Sequence, residues 1–156
     1  NVPKLHEVGD EHLARGFGRC QGLRYGAYGE PVAIPRFGWV ALEEVVSRFA
    51  GNTRTGYTHA WREHRFQPWR TRIMASVESG EDAWEARELG WRYFRIGTEK
   101  LPGDILCPAS DEFYGIHGWK KQCHECGACD GSTANSRRMS VYIPPHSKKG
   151  LNLVTT

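Results

Sequence analysis

The sequence predicts an α/β fold: an open or partial-barrel, mainly parallel sheet of five or six strands, with a Cys-rich metal-binding segment toward the C-terminus. Three observations predict it. Short stretches rich in β-formers alternate with amphipathic helical stretches, which is the rhythm of βα units. The 156 residues fall well short of the ~250 that a full eight-stranded barrel takes. Four of the five cysteines stand late in the chain at metal-ligand spacing.

Taken in order, residues 23–28 read as a first strand, ended by Gly29-Glu30-Pro31. Residues 34–49 read as a helix, with Pro35 in the first turn, where its missing N–H costs little. Phe37, Ala41, Val45 and Phe49 repeat every four positions and, joined by Leu42 and Val46, predict its apolar face. Gly51-Asn52 stops it. Residues 54–59 and 72–77 are the second and third strands. Ser79-Gly80-Glu81-Asp82 resembles a capping box and starts a helix through Trp84, Ala86 and Leu89 that Gly90 closes. Residues 92–96 and 104–106 give two further strands, and 141–143 a sixth. The expected organisation is an α/β domain over 1–106, a Cys-rich metal-binding segment over 107–131, and a C-terminal strand and tail over 132–156.

Composition excludes several classes. Hydrophobic residues at 39% and charged residues at 25% are those of an ordinary globular domain. The formal charge of +3, from 21 Lys and Arg against 18 Asp and Glu, is too small to mark a nucleic-acid protein. No apolar run approaches the ~18 residues of a membrane span, so no membrane partner is expected. The chain begins at Asn1 and its only methionines are Met74 and Met139, so it is expected to be processed, trimmed or a piece of something longer.

The cysteines carry the strongest signal. Cys123, Cys126 and Cys129 form a C-x-x-C-x-x-C run, and Cys107 precedes Pro108. A disulfide framework favours even counts spread along the chain. Three thiols within seven positions instead suit thiolates gathered on one centre, which also points to a cytoplasmic location. Cys107, Cys123, Cys126 and Cys129 are therefore the expected metal ligands, with Cys20 the spare thiol. A 4Fe-4S cluster is the expected cofactor, because three evenly spaced thiolates suit the corners of a cube. Zn2+ is the alternative, since Cys-His-Glu-Cys-Gly looks like a zinc knuckle in which His124 could also serve.

Two further groups are candidates. Parallel sheets bind ligands at the carboxyl edge of their strands. The predicted strands deliver Glu30, His59, Glu78 and Cys107 there, with Glu30 and His59 as the catalytic candidates. His59, Glu63 and His64 lack the H-E-x-x-H order that places two imidazoles on one helical face. Second, Trp61, Arg62, Arg65, Trp69 and Arg70 interleave aromatics with guanidiniums, as single-stranded nucleic-acid grooves do. Arg137, Arg138, Lys148 and Lys149 add charge in the tail.

The stretches Gly22-Leu23-Arg24-Tyr25-Gly26-Ala27-Tyr28-Gly29-Glu30-Pro31, Gly56-Tyr57-Thr58-His59-Ala60-Trp61-Arg62 and Met74-Ala75-Ser76-Val77 carry a resemblance, as do Cys107-Pro108-Ala109-Ser110 and the run from Cys123 to Gly131. In this order they resemble an uncharacterised family of Cys-rich proteins found in bacteriophages and prophages. The resemblance covers about Cys20 to Gly131 and implies a phage-encoded metal protein, in the host cytoplasm or associated with the virion. It implies no activity. Three functions follow as expectations: a structural or interaction protein organised by its four-Cys cluster, with other phage proteins or nucleic acid as partners; an iron–sulfur enzyme at the strand edge; and a zinc-stabilised nucleic-acid binder.

Overall fold

The computed structural model describes residues 15, 22–26, 29–49, 53–132 and 139–145. Cys20, Ala27, Tyr28, Gly51, Asn52, Arg137, Arg138, Lys148 and Lys149 lie outside the described residues, as do the side chains of Val45, Val46 and Phe49. Six strands form one sheet: β1 (Gly22–Tyr25), β2 (Thr53–Thr58), β3 (Met74–Val77), β4 (Tyr93–Ile96), β5 (Asp104–Leu106) and β6 (Ser140–Ile143). Their spatial order is β1-β2-β3-β4-β6-β5, and every neighbouring pair is parallel. The helices are α1 (Arg36–Phe49), α2 (Gly80–Glu88), α3 (Asp111–His117) and the single turn α4 (Cys123–Cys126), with 3-10 segments at Pro31–Ala33 and His64–Thr71. The fold is α/β, and β6 is an inner strand of the same sheet rather than an appendage.

The order explains where the Cys-rich segment goes. From β1 to β4 each strand is laid beside the last, in one direction. From β5 to β6 the chain steps back the other way. Right-handed crossovers in opposite directions lie on opposite faces of a sheet. The period-2 alternation of the strands agrees. Ala75, Val77 and Tyr93 pack with Trp39 of α1 and with Ala83 and Ala86 of α2. Their strand neighbours Met74 and Phe94 pack with Tyr57, Ile105 and Val141 against Cys107, Ala128 and Cys129. Helices α1 and α2 cover one face, and the β5–β6 crossover covers the other.

The buried side of α1 differs from the one its four-residue repeat predicts. Phe37 is 79% exposed, while Trp39 is buried and Leu42 half-buried. Trp39 donates its indole N–H to the Pro31 carbonyl at 2.8 Å and meets Tyr25 and Trp69 edge-on, at 4.6 and 5.3 Å between ring centroids. One large ring with a satisfied polar handle outweighs a stripe of smaller residues. Helix α2 begins as expected, with the Ser79 hydroxyl accepting from the Asp82 amide at 3.0 Å.

Asp104, at the start of β5, is fully buried. It accepts from the Tyr93 hydroxyl and from the Leu101 amide (3.2 Å), and faces the Arg87 and Arg95 guanidiniums at 3.4 and 3.5 Å. The polar network fixes the short β4–β5 link, and with it the position from which Cys107 departs. No helix of the described residues is long and apolar enough to cross a membrane.

Candidate metal centre

Cys107 follows β5 directly, and its amide continues the ladder to the Tyr142 carbonyl at 2.9 Å. Pro108 then ends the strand. The Ser110 amide bonds back to the Cys107 carbonyl (3.0 Å), and the amides of Ala109 and Ser110 also support the Cys107 sulfur. Ser110 caps α3 by accepting from the Phe113 amide at 3.1 Å. This seven-residue helix was not foreseen in the sequence. After it, the Lys121 amide bonds to the Pro108 carbonyl at 2.9 Å, which returns the chain to Cys107.

The C-x-x-C pair sits on α4. The Glu125 carboxylate accepts from the Gln122 amide at 3.0 Å in a reciprocal capping box, so one turn stands without a longer helix. Gly127 ends it at φ +59°, a left-handed conformation that costs a residue with a Cβ about 1–2 kcal/mol. The Thr53 hydroxyl of β2 donates to the His124 carbonyl at 2.7 Å, docking the turn on the sheet. Cys129 is placed by β2 as well. Its carbonyl accepts from the Gly56 amide at 3.3 Å, and the Tyr57 hydroxyl hydrogen-bonds its sulfur.

Together these elements bring Cys107, Cys123, Cys126 and Cys129 around one cavity of about 20 Å³, which Thr55 and Tyr57 also line. All four thiols are free. They are unequal: Cys129 is buried, Cys107 and Cys126 half-buried, and Cys123 exposed. Burial pushes the Cys129 thiol up to about 12; the Tyr57 hydrogen bond opposes this, and the other three sulfurs reinforce it. Burial also raises Cys107, against the support of the Ala109 amide. Without a cation the raised Cys107 and Cys129 thiols stay protonated at neutral pH, and a bound cation inverts that preference. Among the described residues, no three His, Cys, Asp or Glu side chains stand together at ligation spacing, so the sulfurs ring the cavity without meeting at its centre. The His124 imidazole is not among the cavity's lining groups.

The fit with a metal rests on donor set and size. Four soft thiol donors suit zinc or iron, and zinc takes four sulfurs at about 2.3 Å. A space of about 20 Å³ is the scale of one ion or water. A single tetrahedral ion is of this scale, whereas a 4Fe-4S cube is larger.

The other candidates take different places. Glu30 and His59 do meet at the strand edge, but Glu30 is occupied by backbone: its carboxylate accepts from the Val32 amide (3.4 Å) and the His59 amide (2.9 Å). The His59 imidazole lies 4.0 Å from Glu30, with its side chain 72% exposed. Glu78 is exposed, and Cys107 faces the thiol cavity. In the aromatic–arginine stretch, Trp61 is 1% exposed and donates to the Ser76 carbonyl at 3.0 Å. Arg62 lies 3.9 Å over that indole and pairs with Asp82 and Glu85; Arg65 pairs with Glu63 at 2.7 Å. Trp69 packs on Trp39, and Arg70 is exposed, its carbonyl accepting from the Ser132 amide. Apart from Arg70, these side chains pack in the core or form ion pairs.

A larger cavity, about 470 Å³, adjoins the centre at Cys126 and is lined by Tyr25, Glu43, Arg54, Arg72 and Asp130 among others. Its carboxylates are engaged. Glu43 accepts from Tyr25 (2.9 Å) and Arg72 (2.8 Å), and Asp130 from Arg92 (3.0 Å). Sequence reasoning gave no role to Tyr57 or Arg92, although Tyr57 stands inside one of the motifs quoted above. No protein-family model matches the chain, and no curated protein or solved structure is similar to it.

Proposed function

We propose that this chain is a metal-binding protein in which Cys107, Cys123, Cys126 and Cys129 hold one metal ion that fastens the β5–β6 crossover to the sheet, in a structural or interaction role. The observation that carries the reading is the convergence of four free thiols, from a strand end, a helical turn and a sheet-docked loop, on a single cavity of one-ion size. Its size favours Zn2+ over the 4Fe-4S cluster. When bound, the ion supplies the positive charge that keeps four neighbouring sulfurs ionised. The resemblance to phage proteins adds a viral setting, with other phage proteins as the partner class.

Metal analysis and an absorption spectrum of anaerobically purified protein test this. One zinc per chain in colourless protein is the expected result. Four irons per chain with a broad visible band would move the assignment to the cluster. No metal at all, and no uptake when zinc or iron with sulfide is added, would overturn the reading.

A further inference from the structure

Arg92 stands immediately before β4, at 7% exposure. A buried guanidinium needs partners for its five N–H groups, because an uncompensated buried charge is strongly destabilising. Nearly all of these partners lie in one loop. Nη1 donates to the Gly131 carbonyl at 2.7 Å and the Asp130 carboxylate at 3.0 Å. Nη2 donates to the Ala128 carbonyl and, at 2.7 Å, to the Met139 carbonyl, which Nε also reaches at 3.3 Å. The Arg92 amide donates to the Ser132 hydroxyl at 2.7 Å. Residues 128, 130 and 131 are thus gripped on both sides of Cys129, whose own carbonyl is held by the Gly56 amide.

The loop has no slack beyond the grip. Gly131 adopts φ +85°, and a Cβ there would meet the Arg72 amide nitrogen at 2.6 Å. The Ser132 amide bonds to the Arg70 carbonyl. Every one of these contacts is made by protein alone.

We propose that Arg92 is the positioning residue of the thiol centre: its planar fork fixes the Cys129 loop on the sheet before any metal arrives. Half of the centre, Cys107 at the end of β5 and Cys129 under Arg92, is then preformed. The Cys123–Cys126 turn, docked by Thr53, completes the centre as the metal is captured. Partners that orient first-shell ligands commonly govern metal affinity by about 10–100-fold. A lysine keeps the charge but has no fork, so it cannot serve the carbonyls of 128, 131 and 139 together. The metal half of this inference rests on the proposed function; the clamp itself does not.

The experiment compares wild type with Arg92→Lys, in metal-free and zinc-loaded forms. In the metal-free protein, hydrogen exchange is read at the amides of Gly56 and Ser132, which donate across the docked loop. Loss of the fork is expected to speed their exchange about tenfold or more. Zinc affinity is expected to fall by about tenfold or more, and the cobalt-substituted variant to lose part of its sulfur-to-metal charge-transfer band. Unchanged exchange and affinity in a folded Arg92→Lys protein would overturn the clamp while leaving the metal reading in place. Faster exchange in a variant of a protein that takes up no zinc at all would overturn the metal reading and leave the clamp. Where Arg92→Lys does not fold, Asp130→Ala removes one arm only. A smaller shift in the same direction then supports the proposal, and no shift overturns it.

Discussion

Under α1 and α2 the sheet buries Trp39, Trp61, Trp91 and Tyr93 together, whereas under the β5–β6 crossover it buries Met74, Val141 and the Cys129 thiol. Large rings bury about 150–250 Å² each, which at roughly 25 cal/mol per Å² stabilises by several kcal/mol per ring. Among the described residues the opposite face buries smaller side chains, with the Tyr57 and Phe94 rings only half-buried against them. Its cover is held at points: the Thr53–His124 bond, the Gly56–Cys129 bond, the Tyr57 hydroxyl on the Cys129 sulfur and the Arg92 fork. One sheet therefore has a face secured by apolar area and a face secured by polar fasteners. Four thiols converge on the second one. A metal crosslink is most valuable where area is scarce, for the same reason that small domains rely on structural ions.

Removing the metal should have the largest effect. Apparent binding free energies of structural zinc reach about 10–16 kcal/mol in small peptides, more than any side-chain substitution contributes. Chelation is expected to strip hydrogen-exchange protection from residues 111–127, while the loop under Arg92 and the amides of β3 and α2 keep theirs. Mass-spectrometric exchange with and without chelator checks it. Equal loss on both faces would show that the sheet unfolds as one unit, and the contrast between faces would fall.

The next effect belongs to the other face. Trp61→Ala removes a fully buried ring and its N–H bond to the Ser76 carbonyl. It should destabilise the metal-loaded protein by about 3–5 kcal/mol, with metal stoichiometry unchanged. Denaturant titration together with metal analysis separates the two readouts. A parallel loss of metal would mean that the helix face supports the centre directly.

The contrast between faces was only partly legible in the sequence. The strands were, because β-formers and short alternating runs record burial locally, and the structure places all six within a few residues of expectation. The convergence of the four thiols was legible because C-x-x-C spacing is itself the geometry of one helical turn. The face of α1 was not. Counting every fourth residue gives Phe37 and Ala41 the same weight as Trp39, whereas ring size and the Pro31 carbonyl decided the outcome. The ion pairs of the arginine-rich stretch were not legible either: the acids that meet Arg62, Asp82 and Glu85, lie twenty or more residues on, in α2. Arg92 was invisible because its partners belong to a loop some forty residues away, brought near only by the reversal at β5.

The smallest predicted effect asks whether the helix face relies on area alone. Glu43 of α1 accepts from Tyr25 of β1 and from Arg72 just before β3, so it ties three elements together. Burial would raise this carboxyl, but the hydrogen bonds from Arg72 and Tyr25 outweigh it and hold Glu43 below its usual value of about 4.5. A carboxylate with a depressed folded pKa contributes stability that is fully present above its unfolded pKa. That contribution is lost as the pH falls from there through the folded value. Arg72 is about half exposed (47%), so solvent screens the pair and the contribution should be at most about 1 kcal/mol. Release of the proposed metal in acid would add its own pH dependence and mask the effect in wild type alone. Subtracting a Glu43→Gln titration cancels that common term. The difference should be flat from neutral pH to about 4.5 and shrink below it. A difference independent of pH would remove the carboxylate's charge from the account and leave the helix face held by its rings.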